Sequence, residues 1–216
     1  MKQPARKFNR IQPDLRREHL VEAALRCLAD QGHAGLSVRK IAAEANVSVG
    51  LINHHYDGID RLIAHAYETL SQGIFDRVTG AVAPAVGTAR DRFSAFFREY
   101  FSPDIFDPKL LGVWVVFWSL IRHSPEMKAV HDRANAAFCA VLEGYLSDLA
   151  MERSGGDGGP PPAAARVAAI GLSALLDGIW LQWCLNPDTF TIAEAIAIAE
   201  SWVDGFVNGG HGRLAG

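Results

Sequence analysis

Cysteine is scarce in this 216-residue chain: three residues, at 27, 139 and 184, share no short spacing. That excludes a disulfide framework and a CxxC redox or metal motif, leaving buried thiols in a reducing compartment as the expected reading. Long apolar runs are lacking as well. The longest uncharged one, LLGVWVVFWSLI over 110–121, has 12 residues, too few to span a bilayer. The basic, polar N-terminus has no apolar segment behind it, so the expectation is a cytoplasmic protein with no signal peptide and no membrane partner. No run of alternating β-branched residues lies between turn signals, which argues against strands. GxSxG, HExxH, Walker and GxGxxG contexts are missing, as is an acid–base pair at sensible spacing. Neither an enzyme nor a cofactor is expected.

What is present is an apolar, unevenly charged chain. Apolar residues make up 49% and charged residues 21% of it, a globular profile with room for one or two domains. Net charge is −3 overall. Residues 1–40 nevertheless carry nine Lys/Arg against four acids, net +5, and the remainder is net −8. A basic head on an acidic body suits a polyanion partner for the head alone, although a solvated basic tail has the same composition.

Hydrophobic spacing reads as helix almost throughout. Leu20, Val21, Ala24, Leu25 and Leu28 share one face of a helix over 14–31, with Asp14 placed to cap it and Gly32 to end it. Short helices follow after Ser37 and from Val49 to about Tyr56, then a longer one over about 59–75. A Pro/Gly-rich break at 80–88 precedes body helices near 89–101, 108–122, 125–150, 163–185 and 191–207. ERSGGDGGPPP, 152–162, reads as a flexible connector.

Helix, tight turn, helix is the arrangement that sets a second helix into a DNA major groove. Ala42 is small enough for two helices to cross closely, Asn46 tolerates the left-handed turn, and Val47 and Ile52 pin the second helix to the first. Ser48 caps that helix, and Gly50 leaves its exposed start without a side chain. The adjacent His54 and His55 do not read as a metal site, because neighbouring side chains on a helix diverge by about 100°.

SVRKIAAEANVSVGLINHHY resembles the helix-turn-helix of TetR-type repressors, through Ile41, Ala42, Ala45, Val47, Ser48, Gly50, Ile52, His55 and Tyr56. The resemblance implies an all-α fold, with a three-helix DNA-binding domain followed by a larger helical ligand-binding and dimerisation domain. It divides the chain into a basic arm and helix-turn-helix (1–58), a connecting helix (59–79), a ligand-binding body (80–208) and a flexible tail (209–216). It also implies roles. Arg39 would reach a guanine or a phosphate, Val49, Gly50 and Leu51 would approach base edges, and Asn53 would read adenine or hold phosphate. Ser48 would donate to a phosphate, and His54 and His55 would line the groove rim. Read from the residues alone, Arg39 and Lys40 also fit a solvated face, and His55 a packed ring bonded to a carbonyl. One departure stands out: the family commonly has a phosphate-binding lysine where this chain has Ile59, within DGID (57–60). The basic arm, with Lys2, Arg6, Lys7 and Arg10, is a candidate replacement.

In the body, Trp114 and Trp118 share a helical face beside Phe117, and Asp177 sits among apolar neighbours near Trp180 and Trp183. A lone acid amid aromatics suits a cavity for an apolar or cationic small molecule. Plain core, a dimer interface, or pairing of Asp177 with Arg122 would show the same pattern. This half is similar to the BetI-like subgroup, choline-responsive repressors, in its Trp114–Phe117–Trp118 helix, the His123–Pro125 region and the LxDGxW block at Leu175–Trp180. The resemblance implies a homodimer on a double-stranded, palindromic operator, released by a small-molecule effector such as choline or a related quaternary ammonium. The alternative is a TetR-type regulator of efflux or catabolism with a different apolar or aromatic effector.

Overall fold

A computed structural model describes residues 13–82, 87–155 and 162–208. Among the described residues there are nine α-helices, one 3-10 turn and no strand, as the patterning leads one to expect. The basic arm and the tail after 208 lie outside the described residues, as do 156–161 of the connector.

Helix α1 (Pro13–Gln31) buries Leu20, Val21, Ala24 and Leu28 along one stripe. Asp14, expected as its cap, falls inside the helix, and its side chain is outside the described residues. Gly32 ends the helix at φ +54, a backbone conformation open to glycine at little cost. The 3-10 turn Gly32–Gly35 that follows has no counterpart in the expected elements. Gly35 permits it: a Cβ there would lie 2.1 Å from the carbonyl oxygen of Cys27. Lys40 closes the turn from outside, its Nζ donating to Gln31 Oε1 at 2.6 Å and to the Ala34 carbonyl at 2.8 Å.

Helices α2 (Val38–Glu44), α3 (Val49–His55) and α4 (Ile59–Val82) come next. Helix α4 passes the expected stop near 75 and runs through Gly80. Buried Val78 and Val82 on its inner face offset the roughly 1 kcal/mol that a helical glycine costs. The remaining helices are α5 (Ala89–Tyr100), α6 (Leu110–Ile121), α7 (Pro125–Arg153), α8 (Pro162–Leu185) and α9 (Ile192–Val207).

The chain gathers into two compact units whose limits do not follow the linear order. One joins the residues up to Tyr67 with Gly112–Met127, so that α6 belongs with the head; the other holds Glu68–Leu111 and the residues from Lys128 on. The first boundary falls inside α4. In the head unit, α6 approaches α1 closely, because a Cβ at Gly112 would lie 3.3 Å from the Leu28 carbonyl oxygen.

The second unit is organised around α5, whose Phe93, Phe96 and Phe97 are fully buried. Thr88 and Asp91 form a capping box at its start, and the Glu152 carboxylate of α7 accepts from the Ala89 amide at 2.7 and 2.8 Å. Those contacts satisfy donors that a helix start leaves open. Arg90 of α5 bonds Asp204 of α9 at 3.1 Å, and Ser94 donates to Glu200 at 2.9 Å. By length and composition α8 from Ala163 could cross a membrane. It packs on α9 instead, burying Leu172, Leu176, Ile179 and Trp180.

Candidate nucleic-acid interface and effector site

The turn between α2 and α3 is made of local chemistry. Asn46 stands at φ +51, the lone non-glycine residue with positive φ among those described. Its amide donates to the Ala43 carbonyl, and the Val47 amide to that of Ala42 at 2.9 Å. Ser48 then caps α3, its Oγ accepting from the Leu51 amide at 3.2 Å. Behind the turn Ile41 and Ile52 are fully buried, with Ala42 and Ala45 between the helices. Two short helices are thereby clamped at one angle, although neither is long enough to be stable alone.

What faces outward is polar and small. Arg39, Ser48, Gly50, Asn53 and His54 are exposed, while Val49 and Leu51 are half-buried. A Cβ at Gly50 would meet nothing nearer than Ser48 Oγ at 3.8 Å, so the glycine leaves open space and is not required by packing. Lys40 differs from its neighbour Arg39, because it is spent on the 3-10 turn. His55 is half-buried and meets His54 edge-on at 5.4 Å. Its Nε2 is buried without a hydrogen-bond partner among the described residues. Burial, then the charges of His54, Arg17 and Arg16, lower its pKa. At the end of α3, Tyr56 meets His65 Nδ1 at 2.6 Å, and burial pushes its phenol up to about 12. Ile59, at the start of α4, carries no charge to offer a phosphate, and Arg61 stands 3.9 Å from Asp57.

The expected effector residues fall into two groups. Trp114, Phe117 and Trp118 of α6 lie together in the head unit with Tyr67: Tyr67–Trp114 centroids are 5.7 Å apart, Tyr67–Phe117 4.9 Å and Trp114–Trp118 6.1 Å. Asp177 and Trp180 of α8 lie in the second unit, where Trp180 is buried and Asp177 exposed.

Burial nonetheless pushes the Asp177 carboxyl up to about 6. The residue is exposed at its surface, yet the protein packed around the carboxyl disfavours its charged form. Its neighbours come from two other helices. Tyr100 of α5 is held well above its ordinary pKa by burial and then by the Asp177 charge. Cys139 of α7 is raised by burial and by Asp177, with Ser173 pulling the other way. Tyr100 in turn packs with Phe96 and Phe138, their ring centroids 6.0 to 6.3 Å apart. No cation is paired with Asp177 among the described residues. Tyr100, Phe138, Cys139 and Ser173 were missed from sequence. The aromatic spacing in FSAFFREY was visible, but nothing in it pointed to a residue 77 positions further along.

Comparison with known proteins agrees in both halves. Residues 20–66 match the family model described as bacterial regulatory proteins, tetR family. Residues 89–208 match that described as BetI-type transcriptional repressor, C-terminal. The HTH-type transcriptional regulator BetI of Burkholderia thailandensis is 26% identical over 192 residues, covering 88% of this chain and 93% of its own. A crystal structure of a transcriptional regulator from Pseudomonas aeruginosa PAO1 is 46% identical with a TM-score of 0.86, over 96% of this chain and 98% of that one. A regulator from Saccharomonospora viridis, solved in complex with choline, shares the fold at a TM-score of 0.73 and 19% identity, over 89% and 97% of the two chains.

Proposed function

The chain belongs to the TetR family and is a transcriptional repressor with a BetI-type C-terminal domain, and from that premise we propose that it binds a palindromic operator as a homodimer and is released by a small cation. The observation that carries the DNA half is the clamped α2–turn–α3 unit, with unpaired Arg39 and Asn53 on its outer side. One short helix reads few bases; two of them about 34 Å apart read a palindrome. Exposed Ile170 and Leu185 on α8 and Ile198 on α9 are 45–56% accessible in the single chain. They supply an apolar face for a second copy, in line with the alanine-rich pair of helices. Such a protein works in the cytoplasm, where its operator is.

For the effector, the supporting feature is the uncompensated Asp177 carboxylate, whose charge acts on Tyr100, itself packed against Phe96 and Phe138. An anion with aromatic faces around it suits an organic ammonium, choline or a related quaternary amine among them. Trp114, Phe117 and Trp118 form a separate aromatic cluster of the head unit, while Trp180 lies on the same helix and in the same unit as Asp177. Helix α4, whose first residues belong to the head and the rest to the body, is the continuous element through which cation and DNA oppose each other by one reciprocal coupling energy.

Two titrations test the reading. Arg39→Ala and Asn53→Ala should each weaken operator binding by about 1–3 kcal/mol with the helical spectrum unchanged. Equal affinity of both variants and wild type in a gel-shift titration would sink the DNA assignment. Choline or betaine aldehyde should bind by calorimetry and lower operator affinity. If neither does, the repressor stands and the effector becomes a different apolar or aromatic molecule.

A further inference from the structure

The positive charges of the head sort by what they already hold. Arg26 is bonded to Glu44 at 2.7 Å and lies 3.7 Å from Glu22. Lys40 closes the 3-10 turn, and Arg61 faces Asp57. Among the described residues of the first three helices and the start of α4, this leaves Arg16, Arg17 and Arg39 without a hydrogen bond or ion pair. Arg39 is accounted for on α2. The other two sit side by side in the first turns of α1, where no internal acid claims them.

Their position follows from helical spacing. Arg17 precedes Leu20 and Val21 by one turn, and Arg16 precedes Leu20 by four residues; both leucine and valine are buried. Side chains of a helix lean toward its N-terminus. Arg17 is exposed and Arg16 half-buried, so the pair stands at the solvent-accessible start of α1, one turn before its buried stripe. The charges of both act on His55 at the end of α3, and that of Arg17 acts on Tyr56 as well. His55 is ill suited to supply a cation at that place, since burial lowers its pKa and its Nε2 is buried. Ile59 carries no charge. The end of the reading helix is thus bordered by two arginines on a different helix, whose planar forks suit phosphate oxygens.

We propose that Arg16 and Arg17 bind operator backbone phosphates beside the C-terminal end of α3, complementing Arg39 on α2. The inference rests on the DNA-binding reading above, and it assigns to α1 a holding role that carries no base specificity.

The test is a salt series of anisotropy titrations at about 50–200 mM salt, where each phosphate contact adds about 0.9 to the slope of log affinity against log salt. The probes are duplexes that the wild-type protein selects from a random pool, and one unrelated duplex. R16A/R17A should lower the slope by about 2 and weaken selected and unrelated duplexes by similar factors. R16K/R17K should restore most of the slope. If the alanine pair melts early, R16Q/R17Q keeps much of each stem and serves the same comparison. An unchanged slope for the neutral variants, while R39A lowers it, would overturn this inference and leave the repressor intact. Failure of the lysine pair to restore the slope would overturn it too. Absence of salt-dependent binding by the wild-type protein would remove the DNA-binding reading itself.

Discussion

The two functional regions are built by opposite means. In the head, the α2–α3 turn is made by neighbours in sequence: Asn46 at φ +51, the Ser48 cap, and Val47 bonding back to Ala42. In the body, the neighbours of Asp177 come from Tyr100 on α5 and from Cys139 on α7, residues far apart along the chain. A locally built site keeps its shape as long as its own helices pack. A site assembled from distant helices depends on the whole fold, and it can hold an unpaired carboxylate that local chemistry would never leave uncompensated. This suits the proposed division between a rigid DNA reader and a site that a ligand would complete.

The sharpest break in the comparison is at Ile52, the fully buried residue on which α3 rests. Ile52→Ala should cost about 2–5 kcal/mol, read by chemical denaturation. A loss well under 1 kcal/mol would mean that the turn holds α3 without the core beneath it. The next test falls on the body. Asp177 keeps its proton up to about pH 6 in the folded chain, against 3.8 as its ordinary value. Its folded pKa is raised, so its contribution to stability is lost as pH climbs through that window and stays lost above it. Asp177→Asn should therefore raise the melting temperature at about pH 8 and leave it nearly unchanged at about pH 4. The same variant should weaken binding of a quaternary ammonium roughly tenfold, and wild-type affinity should climb as pH passes through about 6. A pH-independent affinity would remove Asp177 from the effector site. The smallest effect belongs to the cap. Ser48→Ala should cost about 1 kcal/mol of stability, with a further loss in operator affinity if the hydroxyl also meets a phosphate.

Much of the fold was open to sequence reasoning because it follows from short-range rules. Apolar residues three and four apart placed every α-helix, and the Asn46–Ser48–Gly50 pattern placed the reading helix. Where reasoning fell short, tertiary contacts outweighed a local signal. Buried Val78 and Val82 carried α4 through Gly80, and the seat of Gly35 on the Cys27 carbonyl made a 3-10 turn where a plain loop was expected. The histidine pair divided in the same way: His54 stays exposed, whereas His55 turns partly inward. Lys40 and Arg39 are adjacent and alike in sequence, yet a 2.6 Å bond to Gln31 commits one of them to structure.

The sequence by itself determined the all-helical class, the helix-turn-helix and the basic head, since periodicity, capping and charge act within a few residues or need no geometry at all. Only the tertiary structure decided that α6 belongs with the head, that Tyr100 and Cys139 come within reach of the Asp177 charge, and which arginines among the described residues remain free. Those depend on contacts between residues separated by whole helices. Local propensity carries no record of which distant side chain will arrive beside a charge, and that arrival decides whether the charge is spent on the fold or left for a ligand.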